Sequence, residues 1–332
     1  MKKIINAPEN VVDEMLKGLG ASFPQYVTRV PGTDVMARRR KKDGKVALVS
    51  GGGSGHEPSH AGFVGEGMLD AAVCGAVFTS PTPDQVYEAV KAVQTDAGVL
   101  LIIKNYTGDV MNFEMAMEMA DAEGIKTAKV VIDDDVAVMN STWTVGRRGI
   151  AGTVLLHKIA GAAAEEGRSL EEVKRIGEKV VANIRSMGMA LSPCIVPAAG
   201  KPNFTLAENE MEMGLGIHGE PGVRREAVKP ADAIADELLG RILEDMPLSA
   251  GDEIALLVNG LGGTPLMELF IVSRRVHEAL AGIGVKVHNT NVGNYMTSIE
   301  MAGCSVTVLK LDEELKKLYD AKADTPAYKN FG

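Results

Sequence analysis

Four polar side chains in this sequence sit where chemistry is readily built. His56 follows the glycine-rich run Gly51, Gly52, Gly53, Ser54 and Gly55. Lys104 and Asp109 bracket the stretch KNYTGD, directly after an apolar run, and His218 stands between glycines in LGIHGEPG, residues 215–222. Glycines let backbone N–H groups approach an oxygen-rich ligand closely. A histidine at the end of such a turn can hydrogen-bond or move a proton. A pair made of His56 and Asp109 would deprotonate a substrate hydroxyl, while Gly53 and Lys104 would bind substrate oxygens. His218 has to reach in from the second half of the chain, which puts the site at a domain interface. Each residue also fits a plainer role. His218 suits a loop histidine bonded to backbone, Asp109 a cap on the following helix, and Lys104 a surface lysine. His157, His277 and His288 lack comparable surroundings and are read as structural.

Known motifs near His56 fail in informative ways. A nucleotide-triphosphate loop needs a lysine after its glycines, and none follows Gly55. The dinucleotide fingerprint needs a third glycine where Pro58 or His56 stands. His56, Glu57 and His60 spell the zinc-protease pattern HExxH, but Pro58 between the histidines opposes the continuous helix that motif requires. No metal is expected. The acids Asp133, Asp134 and Asp135 point in different directions and are read as a solvated turn, as is the basic run at 38–42.

The elements that must carry these residues alternate. Helices are expected over 8–18, 84–94, 113–122, 151–166, 169–187, 230–243, about 265–280 and 312–322. Strands are expected over 46–49, 71–74, 99–103, 129–132, 194–196, 253–258, 285–288 and 306–311. Val99 to Ile103 is wholly apolar, as in a sheet covered on both faces. Ser169 and Glu172 fit a capping box. Met111, Met115, Met117 and Met119 are read as core filler. Asn140 to Gly149 is read as a loop carrying the only tryptophan. The alternation implies two α/β domains with mostly parallel sheets flanked by helices, divided as 1–190 and 191–332.

Composition narrows the function. The chain has 332 residues, 45% hydrophobic, 24% charged, 4% aromatic, with a formal net charge of -9. Acidity and scarce aromatics disfavour nucleic acid as a partner. No apolar run has the length of a membrane span, and the N-terminus lacks a signal-peptide core. Cys74, Cys194 and Cys304 read as buried free thiols in a reducing cytoplasm.

Long segments then carry a resemblance. GGGSGHEPSHAGFVGEGMLDAAVCGAVFTSP, KNYTGD, DDDVAV, GRRGIAGTVLLHKIAGAAAEEG, MGLGIHGEPG and NGLGGTP resemble the substrate-binding subunits of bacterial dihydroxyacetone kinases. The resemblance implies a stand-alone subunit, the chain ending after its second α/β domain. It also implies a phosphate source in the phosphoenolpyruvate-dependent phosphotransferase system. His218 would bond covalently to the substrate ketone as a hemiaminal. Gly53, Ser54, Gly55, His56, Lys104 and Asp109 would hold the substrate hydroxyls. His56, with Asp109 assisting, would take the hydroxyl proton, although the sequence does not divide that role. No cofactor is implied on this chain; nucleotide and Mg²⁺ would sit on a nucleotide-binding partner subunit, charged through a phosphocarrier. A homodimer is implied. Arg147 and Arg148 are read as facing the partner and steering its acidic surface. A related non-catalytic protein, a dihydroxyacetone-binding co-activator of a transcription regulator, is the alternative.

Overall fold

The computed structural model describes residues 2–139 and 144–332. Part of the expected 140–149 loop, with Trp143, lies outside them. Among the described residues, two six-stranded sheets carry the fold. The first contains β1 (Val27–Arg29), β2 (Val35–Arg38), β3 (Ala47–Ser54), β4 (Ala71–Val77), β5 (Val99–Lys104) and β6 (Thr127–Ile132), in spatial order β1-β2-β4-β3-β5-β6. Its β4-β3-β5-β6 part is parallel, and β1 and β2 add antiparallel at one edge. The second contains β7 (Ile184–Ala190), β8 (Glu210–Met213), β9 (Arg224–Ala227), β10 (Glu253–Gly260), β11 (Lys286–Gly293) and β12 (Gly303–Leu311), in order β11-β10-β12-β7-β8-β9. Here only β10 and β11 are parallel among the described residues. Helix-covered α/β sheets are therefore found as expected, with the parallel pairing concentrated in the first.

The helices are α1 (Val11–Ser22), α2 (Pro83–Val93), α3 (Thr107–Ala122), α4 (Thr153–Glu165), α5 (Leu170–Ala182), α6 (Ala231–Asp245), α7 (Leu266–Gly282) and α8 (Glu313–Asp320). One continuous apolar core joins the inner faces of both sheets through α4, α5 and α8. α2 and α3 cover the outer face of the first sheet, and α6 and α7 that of the second. α4 is buried from Thr153 to Ala164. Its Gly161 is a requirement of contact: a Cβ there would lie 2.4 Å from the Gly67 carbonyl oxygen. The division expected at 190/191 falls at the end of β7, which is hydrogen-bonded into the second sheet.

Several local expectations are corrected. The helix expected over 169–187 ends at Ala182, where the Asn183 N–H closes on the Val180 carbonyl, and the chain enters β7. Ser169 does cap α5, accepting from the Glu172 N–H at 3.3 Å. Residues 194–196 form only an isolated bridge, Ile195 to Pro202, because the prolines flanking and facing them lack ladder donors. On α3 the buried positions are Asp109, Phe113, Ala116 and Ala120. That leaves Met111, Met115 and Met119 on the opposite face, exposed rather than filling the core.

Asp134 and Asp135 are buried rather than solvated. Asp134 accepts from the Ile150 and Gly152 N–H groups at 2.7 and 2.8 Å. Burial nevertheless raises its carboxyl to about 6. Arg148 does not face a partner. It is wholly buried, donates to Asp135 at 2.8 Å through Nε and to the Gly214 carbonyl at 2.6 Å through Nη2. Arg147 is tied to Asp245 through both terminal nitrogens. Arg148→Leu would strand the Asp135 carboxylate in the interior. Denaturant unfolding is expected to show about 3–5 kcal/mol lost; a loss under about 1 kcal/mol would refute the buried pair.

Candidate active site

The run Gly51 to Ser54, expected as a turn before a helix, is the second half of strand β3. Small residues are needed because neighbours press on the backbone. A Cβ at Gly51 would lie 2.5 Å from the Val73 oxygen, and one at Gly53 would lie 2.5 Å from the Thr79 nitrogen. No α-helix follows; residues 57–60 turn and Ala61–Phe63 makes one 3₁₀ turn. The HExxH geometry is thus not formed. His56 and His60 have separate partners, the Thr297 carbonyl at 2.7 Å and the His157 ring at 3.0 Å.

β3 and β5 end side by side, and α3 starts at that edge. α3 begins at Thr107, six residues before the expected start, so Asp109 lies within its first turn rather than at its cap. From the other half, the loop between β8 and β9 delivers His218. Between them is a cavity of about 460 Å³, lined by Gly53, Phe78, Tyr106 and Asp109 from the first half and by His218 and Glu220 from the second. His56 and Lys104, both 0% exposed, lie behind its wall rather than in its lining, the His56 ring packed on the lining residues Phe78 and His218.

The histidines have defined hydrogen bonds. The His56 Nδ1–H donates to the Thr297 carbonyl, because an oxygen there can only accept. This leaves Nε2 with its lone pair, buried and without a partner among the described residues. Burial, then the neighbouring His218 ring and Lys104, hold His56 well below the ordinary imidazole range. Its ring stacks on Phe78 with centroids 5.1 Å apart and meets the His218 ring edge-on at 4.8 Å.

His218 is fixed from behind by Glu220. Nδ1–H donates to Oε1 at 2.7 Å, and the His218 backbone N–H donates to Oε2 at 2.9 Å. Burial alone would raise the Glu220 carboxyl; the His218 ring, its hydrogen bond and Arg148 outweigh that and bring it to about 2. The Glu220 carboxylate sets the tautomer and leaves the lone pair on His218 Nε2. Gly216 makes room: a Cβ there would lie 2.1 Å from Glu220 Oε2.

Lys104 is held between halves of the same logic. Burial lowers its ammonium, while Asp109 and Glu220 act to raise it. A Cβ on Gly52 would lie 2.5 Å from Nζ and 3.7 Å from Asp109 Oδ2, so glycine lets the ammonium and carboxylate share this corner. Asp109 Oδ1 is buried with no partner among the described residues. An unfilled lone pair at a cavity wall is an acceptor for a ligand hydroxyl.

Of the residues expected from sequence, His56, Lys104, Asp109, His218 and Gly53 come together. Of these, Gly53, Asp109 and His218 line the cavity, His56 and Lys104 lie behind its wall, and Ser54 and Gly55 do not line it. The Ser54 hydroxyl donates to the Gly75 carbonyl at 2.7 Å, and the Gly55 N–H donates to Glu57 at 3.0 Å. Glu220, Tyr106 and Phe78 were not anticipated. Glu220 was visible in HGEPG as an acid two residues after the histidine. Tyr106 lay within KNYTGD, and its ring meets His218 at 4.7 Å. Phe78 gave no sequence signal; it adopts φ +57°, costly for a residue with a Cβ, and walls the site.

Comparison with known proteins adds the lineage. The family model for the Dak1 domain matches residues 17–327. The chain is 60% identical over 314 residues to the PTS-dependent dihydroxyacetone kinase 1, dihydroxyacetone-binding subunit DhaK of Listeria innocua, covering 95% of each. It is 46% identical over 351 residues to the PEP-dependent dihydroxyacetone kinase, dihydroxyacetone-binding subunit DhaK of Escherichia coli, covering 98% of this chain and 99% of that one. Among solved structures, the dihydroxyacetone kinase operon co-activator Dha-DhaQ superposes with a TM-score of 0.91 at 38% identity, over 96% of this chain and 98% of the other. With a match running through both sheets and relatives similar over nearly their whole length, the chain belongs to the Dak1 domain family.

Proposed function

We propose that the chain is the dihydroxyacetone-binding subunit of a phosphoenolpyruvate-dependent dihydroxyacetone kinase. The observation that carries this reading is the meeting of the His56 and His218 rings, centroids 4.8 Å apart, where His218 lines the cavity. His218 Nε2 is made nucleophilic by Glu220, and His56 Nε2 has no partner among the described residues. The His218 lone pair adds to the ketone carbon. A C–N bond forms and the C=O π bond opens; the oxyanion takes a proton from solvent while the Nδ1 proton leaves through Glu220 to solvent, so that the hemiaminal is neutral. A ketone reacts this way and an alcohol such as glycerol does not, so bond formation itself selects the substrate. Lys104 and Asp109 hold the hydroxyls, and His56 or Asp109 takes the terminal hydroxyl proton as that oxygen attacks phosphorus.

The phosphoryl group would come from a nucleotide and Mg²⁺ on a partner subunit, recharged by a phosphocarrier. No helix among the described residues is long and apolar enough to cross a membrane. A homodimer and a cytoplasmic location remain part of the proposal. The alternative is a ligand-sensing co-activator, favoured by the structural likeness to Dha-DhaQ. Greater identity to the kinase subunits supports the enzyme. Phosphoryl transfer from phosphoenolpyruvate to dihydroxyacetone is the deciding assay, run with nucleotide-binding subunit and phosphocarriers, with and without this chain. Strict dependence on the chain is expected; equal transfer in its absence would leave the sensor reading.

A further inference from the structure

Behind Lys104 lies a pair of histidines that the proposed reaction does not use. Lys104 Nζ is 3.3 Å from His60 Nε2, and His60 Nδ1 is 3.0 Å from His157 Nε2. All three side chains are buried, at 0%, 4% and 0% exposure. They come from three places in the fold: the end of β5, the turn after β3, and α4 in the central layer. An ammonium can only donate. His60 Nε2 must then accept, so its proton sits on Nδ1 and is donated to His157 Nε2. The His157 proton in turn sits on Nδ1, which has no partner among the described residues. Direction runs one way along the chain, and both imidazoles must stay neutral for it to hold. Burial supports that state: His157 is lowered to about 3 by burial and Lys104, and His60 is lowered by burial, Lys104 and His157.

We propose that His60, backed by His157, is a positioning residue for Lys104. It accepts one ammonium N–H, which fixes the side chain in the corner it shares with Asp109 beside Gly52, leaving its other N–H groups for the substrate oxygens. The inference rests on the proposed reading of the cavity as a dihydroxyacetone site. Lys104 is faced by Asp109 from α3, Glu220 from the β8–β9 loop, His56 and His60 from the turn after β3, and His157 from α4. Only His60 contacts Nζ as a neutral acceptor. Removing it leaves a buried N–H unpaired and disfavours the charged amine. Lys104 then loses its proton at lower pH, and substrate affinity should fall off earlier as pH rises.

The test compares wild type, His60→Leu and His60→Gln by the concentration of dihydroxyacetone that half-saturates the intact-mass adduct, across about pH 6.5 to 9. Leu keeps bulk without an acceptor. Gln places an acceptor oxygen near the Nε2 position and an N–H₂ toward His157. His60→Leu is expected to need about tenfold more ligand, with the deficit growing with pH, and His60→Gln to stay within about threefold of wild type. Wild-type affinity in His60→Leu, or an equal loss in both variants at every pH, would overturn the inference. A wild-type protein that forms no adduct would instead overturn the reading of the site. Independently of ligand and of how the variants fold, ¹⁵N NMR of the wild-type rings should find His60 protonated at Nδ1 and bare at Nε2. A proton on His60 Nε2 near neutral pH would end the proposal.

Discussion

His218→Ala protein is expected to gain no mass from dihydroxyacetone and to lose turnover by roughly 10³-fold or more, the scale at which covalent anchoring and orientation contribute. The wild-type chain should gain the mass of one substrate. The expectation follows from Glu220, whose two oxygens take both the His218 ring N–H and its backbone N–H. That grip leaves a single nitrogen for the ketone. The substitution is a clean test because His218 lies on a loop at the cavity and is partly exposed, so the core is not disturbed. Retention of the adduct in His218→Ala would place the covalent bond elsewhere. Glycerol should give no adduct with either protein.

Asp109→Asn should separate binding from transfer. The substitution keeps volume and one carbonyl acceptor while removing the negative charge that acts on Lys104 and that, in the proposed mechanism, the substrate hydroxyl meets. The adduct is expected to form, since His218 and Glu220 are untouched. Turnover with partner proteins present is expected to drop about 10²- to 10⁴-fold, the usual range for a lost proton acceptor or its electrostatic support. The same measurement on His56→Asn divides the role. His56 carries the other unpartnered acceptor, Nε2. The larger loss marks the base, and undiminished turnover in Asp109→Asn would remove that residue from the chemistry.

Much of the site was legible because its residues end strands. VLLII reads as a strand covered on both faces, and these residues are buried together with Lys104, which the strand also includes. Lys104 and Asp109 follow from it directly. His56 and His218 announced themselves through glycine neighbours. What stayed hidden depended on contacts that no local pattern encodes. β7, IRSMGMA, mixes apolar residues, an arginine and a glycine without either period, so its first four residues read as a continuing helix. The glycines of β3 looked like a turn, since a strand rarely tolerates them unless a neighbour occupies the space of each Cβ. Arg148 looked like surface charge because no local pattern shows that Asp135, from its own half, and the Gly214 carbonyl, from the other, both accept from it. Ser54 looked like a ligand donor because nothing in the sequence shows that the Gly75 carbonyl already occupies its hydroxyl.

The shared interior around α4 has a practical side. β7 leaves the first half before the expected boundary, and α8 returns to pack on α4 at the other end of the chain. Anyone wishing to express the half that carries His218 apart from the half that carries His56 and Asp109 would find no seam to cut along. Either fragment would carry a broad greasy face into water, where clumping competes with folding.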